Sequence, residues 1–156
     1  MSDVDTPNTA RSSSDSDEVI ELMRDLMEDL EVYLTGGIVR AELDVTFVGQ
    51  IRQSALHLFD IHGEMTSPSM NIDTGETLDY LREATYGDQV GAWFSAHVVL
   101  KMDDSLSATY NYNELPPMAI DFSPSEFIAD LERFPRDASN IPEWLREKLN
   151  GTTNHQ

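Results

Sequence analysis

The chain has 156 residues, of which 40% are hydrophobic and 8% aromatic, and this size and composition predict one folded domain rather than two domains or a disordered chain. Ten lysines and arginines stand against 29 aspartates and glutamates, which gives a formal net charge of −19. Because phosphate groups are bound by concentrated positive charge, this balance argues against nucleic acids and anionic membranes as partners and favours a basic partner.

The sequence contains no cysteine, so disulfides, thiolate catalysis and cysteine-bound metals are excluded. No apolar run approaches the roughly 18–20 residues that cross a bilayer, and the first residues lack the pattern of a signal peptide. We therefore expect a soluble protein of the cytoplasm. Residues 1–14 and 151–156 are polar and poor in large apolar side chains, and we expect both to be flexible. Residues 15–150 are expected to form a single α+β domain.

The first predicted element is a helix. Between Val19 and Leu34 apolar side chains recur at spacings of three and four, and Gly36 follows as a stop signal. The residues that could cap its start are Asp15, Ser16 and Asp17. Acidic side chains continue along its later turns and predict a solvated acidic ridge at Asp25, Glu28 and Asp29.

Two strands and a second helix follow. The alternation of apolar and polar residues from Val39 to Phe47 predicts a strand with one buried face. Residues 53–62 have apolar side chains at both odd and even positions, which predicts a more central strand. Residues 63–71 read as a loop. A second helix is expected over residues 75–86, with Asp73 as its cap.

A hairpin is predicted next. Alternate apolar residues over 92–102 and 106–112 indicate two strands, and Asp103 and Asp104 between them are residues that favour turns. A loop of three or five residues centred on Asp104 would pair Met102 with Leu106 and bring the two apolar faces together.

Two helices complete the chain. Ser123 followed by Pro124 predicts the start of one, and Pro142 followed by Glu143 predicts the start of another. The predicted order is α-β-β-α-β-β-α-α. It indicates an α+β fold with a four-stranded antiparallel sheet and helices packed on one face.

A catalytic or metal-binding motif is not evident, so we predict no catalytic residue, metal or cofactor. Of the four histidines, His57 and His62 would point to opposite faces of a strand, and His155 lies near the end of the sequence. His97 could approach His57 across the sheet, but a lone histidine among strand residues is usually structural, and two ligands fall short of a metal site. The carboxylates are most simply solvated surface groups. Trp93 has the parity of the polar face of its strand, where it could either anchor a partner or pack under the 63–71 loop.

The second half of the chain carries a recognisable combination of segments. Trp93 opens a strand, the following strand ends in Tyr110-Asn111-Tyr112-Asn113-Glu114, and the motifs Phe134-Pro135-Arg136-Asp137 and Ile141-Pro142-Glu143-Trp144-Leu145 follow. This combination resembles the YezG-like antitoxin and immunity proteins, which are small bacterial proteins encoded beside polymorphic secreted toxins. The last two motifs resemble the actinobacterial members. Asn113 stands where an acidic residue is common in the family.

The resemblance implies an immunity protein, not an enzyme, that neutralises a cognate toxin in the cytoplasm by stoichiometric occlusion. The toxin would often be a nuclease. The net charge favours a basic toxin domain, and we expect the protein to be a monomer or to form a one-to-one complex with the toxin. The expected contact residues lie at the hairpin ends, with Trp93 as a possible anchor: Asp103, Asp104, Tyr112, Asn113 and Glu114. The ridge of Asp25, Glu28 and Asp29 is the second candidate surface. An acidic adaptor or chaperone that escorts a secreted effector without inhibiting it is the alternative, and an enzyme with an unrecognised carboxylate site is a third.

Overall fold

The computed structural model of the chain describes residues 5–151 and gives side chains from Asp17 onward. Within this part the chain forms four α-helices and five β-strands, with short 3-10 turns at Pro117–Ala119 and Ala138–Asn140. The helices are α1 (Asp5–Glu31), α2 (Ile72–Ala84), α3 (Pro124–Arg133) and α4 (Glu143–Leu149). The strands are β1 (Ile38–Val48), β2 (Ile51–Asp60), β3 (Met65–Thr66), β4 (Ser95–Lys101) and β5 (Leu106–Asn111).

All five strands join one antiparallel sheet in the order β3-β2-β1-β4-β5. The predicted class, helices with an antiparallel sheet, is confirmed, but the predicted number of four strands is wrong. The additional strand is β3, which pairs with the end of β2 inside the segment predicted to be a loop. A strand of two residues is too short to produce an alternating pattern, so the sequence gives no sign of it.

The bounds of several elements differ from the prediction by a few residues. α2 begins at Ile72 because the side chain of Asn71, not that of Asp73, caps it: Asn71 Oδ1 accepts a hydrogen bond from the backbone N–H of Asp73 at 2.9 Å. α3 begins at Pro124 as predicted. α1 extends back to Asp5, upstream of its predicted start. We expected residues 1–14 and 151–156 to be flexible. The structure describes only part of these two segments, so their flexibility stays a prediction. His155 lies outside the described residues.

The main core lies between the sheet and the first two helices. Every second residue of β1 is buried on this side, including Leu43 and Val45, and α1 contributes Leu26 and Leu30. None of the described helices is both long and apolar enough to cross a membrane.

A second, smaller core lies at the end of β1. Val48 and Phe94 pack there with Phe127 of α3 and Leu145 of α4. Val48 points to the opposite face of β1 from Phe47, which belongs to the main core. The prediction that the helices pack on one face therefore applies to α1 and α2 only, because α3, α4 and the Pro117–Ala119 turn cover one end of the other face.

In the β4–β5 hairpin the apolar side chains of the two strands share one face, as predicted, but the residues that pair across the strands differ from the prediction. Leu100 lies opposite Leu106 and Val98 opposite Ala108, so the apolar faces match as expected. The loop is centred on Asp103 rather than Asp104, because the backbone N–H of Lys101 closes it by donating to the carbonyl of Ser105 at 3.0 Å. Asp104 occupies the left-handed region with φ of 66°, which aspartate tolerates better than most residues.

A buried ion pair joins the two cores. Arg82 of α2 donates two hydrogen bonds to the carboxylate of Asp130 in α3, at 2.7 and 2.9 Å, and a third from Nε to the carbonyl of Trp93 at 2.6 Å. Both side chains are almost completely buried. Asp130 also accepts from the backbone N–H of Gly49 at 3.0 Å, so the turn between β1 and β2 is fixed by the same group.

Candidate partner-binding surface

The face of the sheet that α1 and α2 leave uncovered carries polar side chains from two central strands. In β1 the residues between the buried positions include Glu42 and Asp44, and in β4 they include His97. Asp44 and His97 are direct cross-strand partners. Because side chains alternate along each strand, these groups share the face opposite the main core.

His97 lies between two carboxylates on this face. Its Nδ1–H donates to Asp44 Oδ1 at 2.7 Å, and its Nε2 lies 3.6 Å from Glu42 Oε1. Glu42 also accepts a hydrogen bond from Arg40 Nε at 2.6 Å. The side chains of His97 and Asp44 are each 43% exposed, so the pair is accessible from solvent.

A groove of about 440 Å³ runs over this pair. Residues of four strands form its floor and the segment Pro116–Met118 forms one wall, and most of the surface that the groove exposes is apolar. The polar residues of the floor are Asp44, Thr46, His57, Ser95, His97, Thr109 and Asn111. At the wall the hydroxyl of Thr46 contacts the sulfur of Met118 at 3.6 Å.

Carboxylate and side-chain oxygens in such a groove are suited to a lysine or arginine side chain. Among residues 17–151 no group of three or more histidine, aspartate or glutamate side chains is arranged to hold a metal ion. His57, the cross-strand partner of Glu42, contacts Ser67 Oγ at 2.9 Å. The arrangement therefore offers positions for cationic side chains.

The residues predicted at the hairpin ends fall into two separate groups. Asp103 and Asp104 lie exposed in the turn, whereas Tyr112, Asn113 and Glu114 follow β5 at its other end. The six residues of β5 separate the two groups by roughly 20 Å, at about 3.4 Å per residue. One small contact patch cannot include both.

Each end is held by local hydrogen bonds. Bonds from the side chain and the backbone of Ser105 lower the pKa of Asp103, whose carboxylate accepts from the Ser105 N–H at 3.0 Å. At the other end, the side chain of Asn111 accepts from the N–H of Glu114 and donates to its carbonyl, both at 2.9 Å. The exposed carboxylates of Asp104 and Glu114 are carried on ordered turns.

Arg136 explains why the segment Phe134–Asp137 lies beside the end of β5. Its guanidinium donates to the carbonyls of Ala92, Tyr112 and Asn140 and to Oδ1 of Asn113. Tyr112 itself is half-buried, and burial raises the pKa of its hydroxyl. Of this group, Asn113 and Glu114 are the exposed residues.

The parity of Trp93 in the sequence predicted a position on the polar face of the sheet, and this prediction is wrong. Trp93 is completely buried in the main core, where its ring stacks on Tyr110 at 5.5 Å and its Nε1–H donates to Thr85 Oγ1 at 2.8 Å. The alternation of β4 does not extend to Trp93, because β4 begins only at Ser95 and the chain bends at Phe94. Trp93 therefore has no surface to offer a partner.

The predicted acidic ridge on α1 is divided. Asp25 and Glu28 are exposed, as expected. Asp29 instead accepts a hydrogen bond from the hydroxyl of Thr74 at 3.1 Å, which ties α1 to the first turn of α2. Two of the three side chains are thus free to meet a partner.

The Asp44–His97 pair was not among the residues singled out from the sequence. The polar parity of β1 and of β4 was visible, but the pairing of these two strands was not, because residues 44 and 97 are 53 positions apart. No protein-family model matches the chain, and no curated protein matches it.

Proposed function

We propose that this protein is the immunity protein of a toxin, and that it binds a basic toxin domain on the uncovered face of the sheet and blocks it without turnover. The observation that carries the proposal is the groove at Asp44 and His97, with Glu42 beside it, where carboxylates lie partly exposed on the part of the face that α3 and α4 do not cover. The resemblance of the second half of the chain to YezG-like proteins points to the same function.

The charge of the chain supports the same conclusion. A net charge of −19 attracts a basic partner over long range and raises its association rate. A toxin that acts on nucleic acid needs a cationic cleft, and such a cleft complements this surface. Lysine or arginine side chains of the toxin would enter the groove and find Asp44 as an ion-pair partner.

The first experiment is co-expression with the toxin domain that this proposal expects to be encoded beside this gene. Rescue of growth together with a one-to-one complex on a sizing column is the expected result. Binding without rescue would instead identify an adaptor that escorts its client. Absence of both binding and rescue would refute the proposal.

The groove is tested by Asp44→Asn. We expect the affinity for the toxin domain to fall at least about tenfold, because truncating one partner of a close charge pair costs roughly 2–5 kcal/mol. Asp73→Asn is the matched control, since it removes the same charge from α2, on the opposite side of the sheet. Equal affinities for the two variants would exclude the groove as the contact.

The hairpin ends are tested separately because they are far apart. Asp103→Lys with Asp104→Lys reverses charge at the turn, and Glu114→Lys reverses it at the other end. The end nearer the toxin is the one whose variant shows slower association and a weaker dependence on salt. If neither variant changes the association rate, the hairpin ends are not part of the contact.

A further inference from the structure

β5 (Leu106–Asn111) is an edge of the sheet. It pairs with β4 on one side, and within residues 17–151 no strand or loop pairs with its other side. An open edge presents unpaired backbone donors and acceptors that can bind another extended chain.

The direction of these groups follows from the hairpin register. Lys101 and Ser105 form a hydrogen-bonded pair, with the N–H of Lys101 donating to the Ser105 carbonyl at 3.0 Å. Bonded and non-bonded pairs alternate in an antiparallel ladder, so Ser107 and Thr109 bond to β4. The N–H and C=O groups of the alternate residues therefore point away from the sheet, and these residues are Leu106, Ala108 and Tyr110.

The edge lacks the features that usually prevent strand pairing. β5 contains no proline and no charged residue, and its residues run without a register shift opposite β4. On the side of the main core, Leu106, Ala108 and Tyr110 are only half-buried. A second groove, of about 420 Å³, lies between Leu106 and α1, where Val19, Met23 and Arg24 are among the residues that line it.

We propose that β5 accepts an extended segment of the basic partner as a sixth strand of the sheet; this inference rests on the proposed function. Alternate apolar side chains of that segment would fill the groove against α1. The intervening side chains would lie on the face that carries Asp44 and His97, about one strand spacing of 4.8 Å beyond β5. Asp44 lies on β1, three strand spacings or about 14 Å from the new strand. Lysine and arginine of that segment would instead meet the exposed carboxylates at the two ends of β5, which are Asp103 and Asp104 at one end and Glu114 at the other.

The charges around the edge favour a basic partner over a second copy of this chain. Exposed carboxylates lie at both ends of β5, from Asp103 and Asp104 at one end and Glu114 at the other. A second copy would bring another net charge of −19 to the same edge. The repulsion between the copies opposes a sheet that continues from one chain into the other.

Hydrogen exchange of single backbone amides tests the proposal. In the free protein we expect the amides of Leu106, Ala108 and Tyr110 to exchange fast and those of Ser107 and Thr109 to exchange slowly. Binding of the toxin domain should slow exchange of the first three at least about tenfold. A parallel titration with a synthetic heptapeptide of alternating lysine and valine should slow the same three amides.

The outcomes separate this proposal from the proposed function. A toxin complex that leaves the three amides unprotected would overturn the strand-pairing proposal and leave the immunity function standing. If the toxin domain does not bind, the immunity function fails, and the peptide alone decides whether the edge accepts a strand. Protection in the free protein that grows with its concentration would identify a second copy as the occupant and overturn the choice of partner.

A proline substitution provides a second test. Ala108→Pro removes an outward N–H and leaves the bonds of Ser107 and Thr109 to β4 in place, which an edge strand tolerates. Ala108→Val is the control, since it adds similar bulk and keeps the N–H. We expect the proline variant to bind the toxin domain at least about tenfold more weakly and the valine variant to bind within about twofold of the wild type. Equal binding by two folded variants would overturn the proposal, and the amide experiment on the unmodified chain decides it if the proline variant does not fold.

Discussion

Replacement of Asp130 by alanine is expected to be among the most damaging single changes to stability. The carboxylate accepts two hydrogen bonds from Arg82 and one from the Gly49 N–H, and all of these groups would lose their partner together. Removing one member of a buried ion pair costs about 3–5 kcal/mol because the remaining charge stays buried without compensation. Arg82 keeps its bond to the Trp93 carbonyl and its position 4.8 Å from the ring centre of Phe134, which offsets part of the loss. We therefore expect a loss of about 4 kcal/mol in the free energy of unfolding.

Urea denaturation followed by circular dichroism measures this loss. With a slope of about 2 kcal/mol per molar urea, the midpoint should fall by about 2 M. Asp121→Ala removes an exposed carboxylate and should change the free energy of unfolding by less than about 0.5 kcal/mol.

The double variant Arg82→Met with Asp130→Leu distinguishes an unpaired charge from a loss of packing. Replacing both members with apolar side chains removes the uncompensated charge, so most of the lost stability should return. A loss below about 1 kcal/mol for Asp130→Ala would refute the reasoning. A double variant that is less stable than Asp130→Ala would refute it as well.

Two further expectations concern stability. Gly91→Ala should cost at least about 2 kcal/mol more than Gly37→Ala in urea denaturation. Both glycines have positive φ, of 88° and 93°, but of the two only a Cβ at Gly91 would overlap the buried side chain of Arg136, which four hydrogen bonds hold in place. Equal losses would contradict this steric explanation. Burial raises the pKa of both Tyr110 and Tyr112 above the ordinary value near 10, so the native state retains protons that the unfolded chain has lost, and stability should fall as pH rises past 10. Tyr110→Phe should reduce this fall between about pH 9 and about pH 11, and an unchanged slope would show that its hydroxyl is not responsible.

The elements that sequence reasoning located best are those with strong local signals. α3 begins at Pro124, as the Ser123-Pro124 pair predicted, and β1 contains the whole alternating run from Val39 to Phe47. These signals depend on neighbours in the chain and on one buried face, both of which a sequence displays directly. The parity of the β4–β5 hairpin was recovered for the same reason, while its pairing depended on the geometry of the Asp103–Asp104 turn.

The features that could not be predicted from the sequence depend on contacts between segments that are distant in the chain. Asp130 belongs to a residue type that is almost always exposed, and only the arrival of Arg82 from α2 makes its burial favourable. The contact of Asp44 with His97 likewise requires that β1 pair with β4. Trp93 was assigned to the wrong face because the alternation of β4 was continued to a residue that lies two positions before the strand begins at Ser95.

The strand order has a consequence for how the chain assembles. β1 lies at the centre of the sheet, joined to β2 by a turn at Gly49 and Gln50, but its other neighbour, β4, is encoded some 50 positions later. Closing so long a loop costs entropy before any contact rewards it, which slows folding. During synthesis β1 and β2 emerge before β4. Until β4 arrives, β1 has an open edge, although it becomes the central strand of the finished sheet. Docking of the β4–β5 hairpin is therefore the step that closes the sheet.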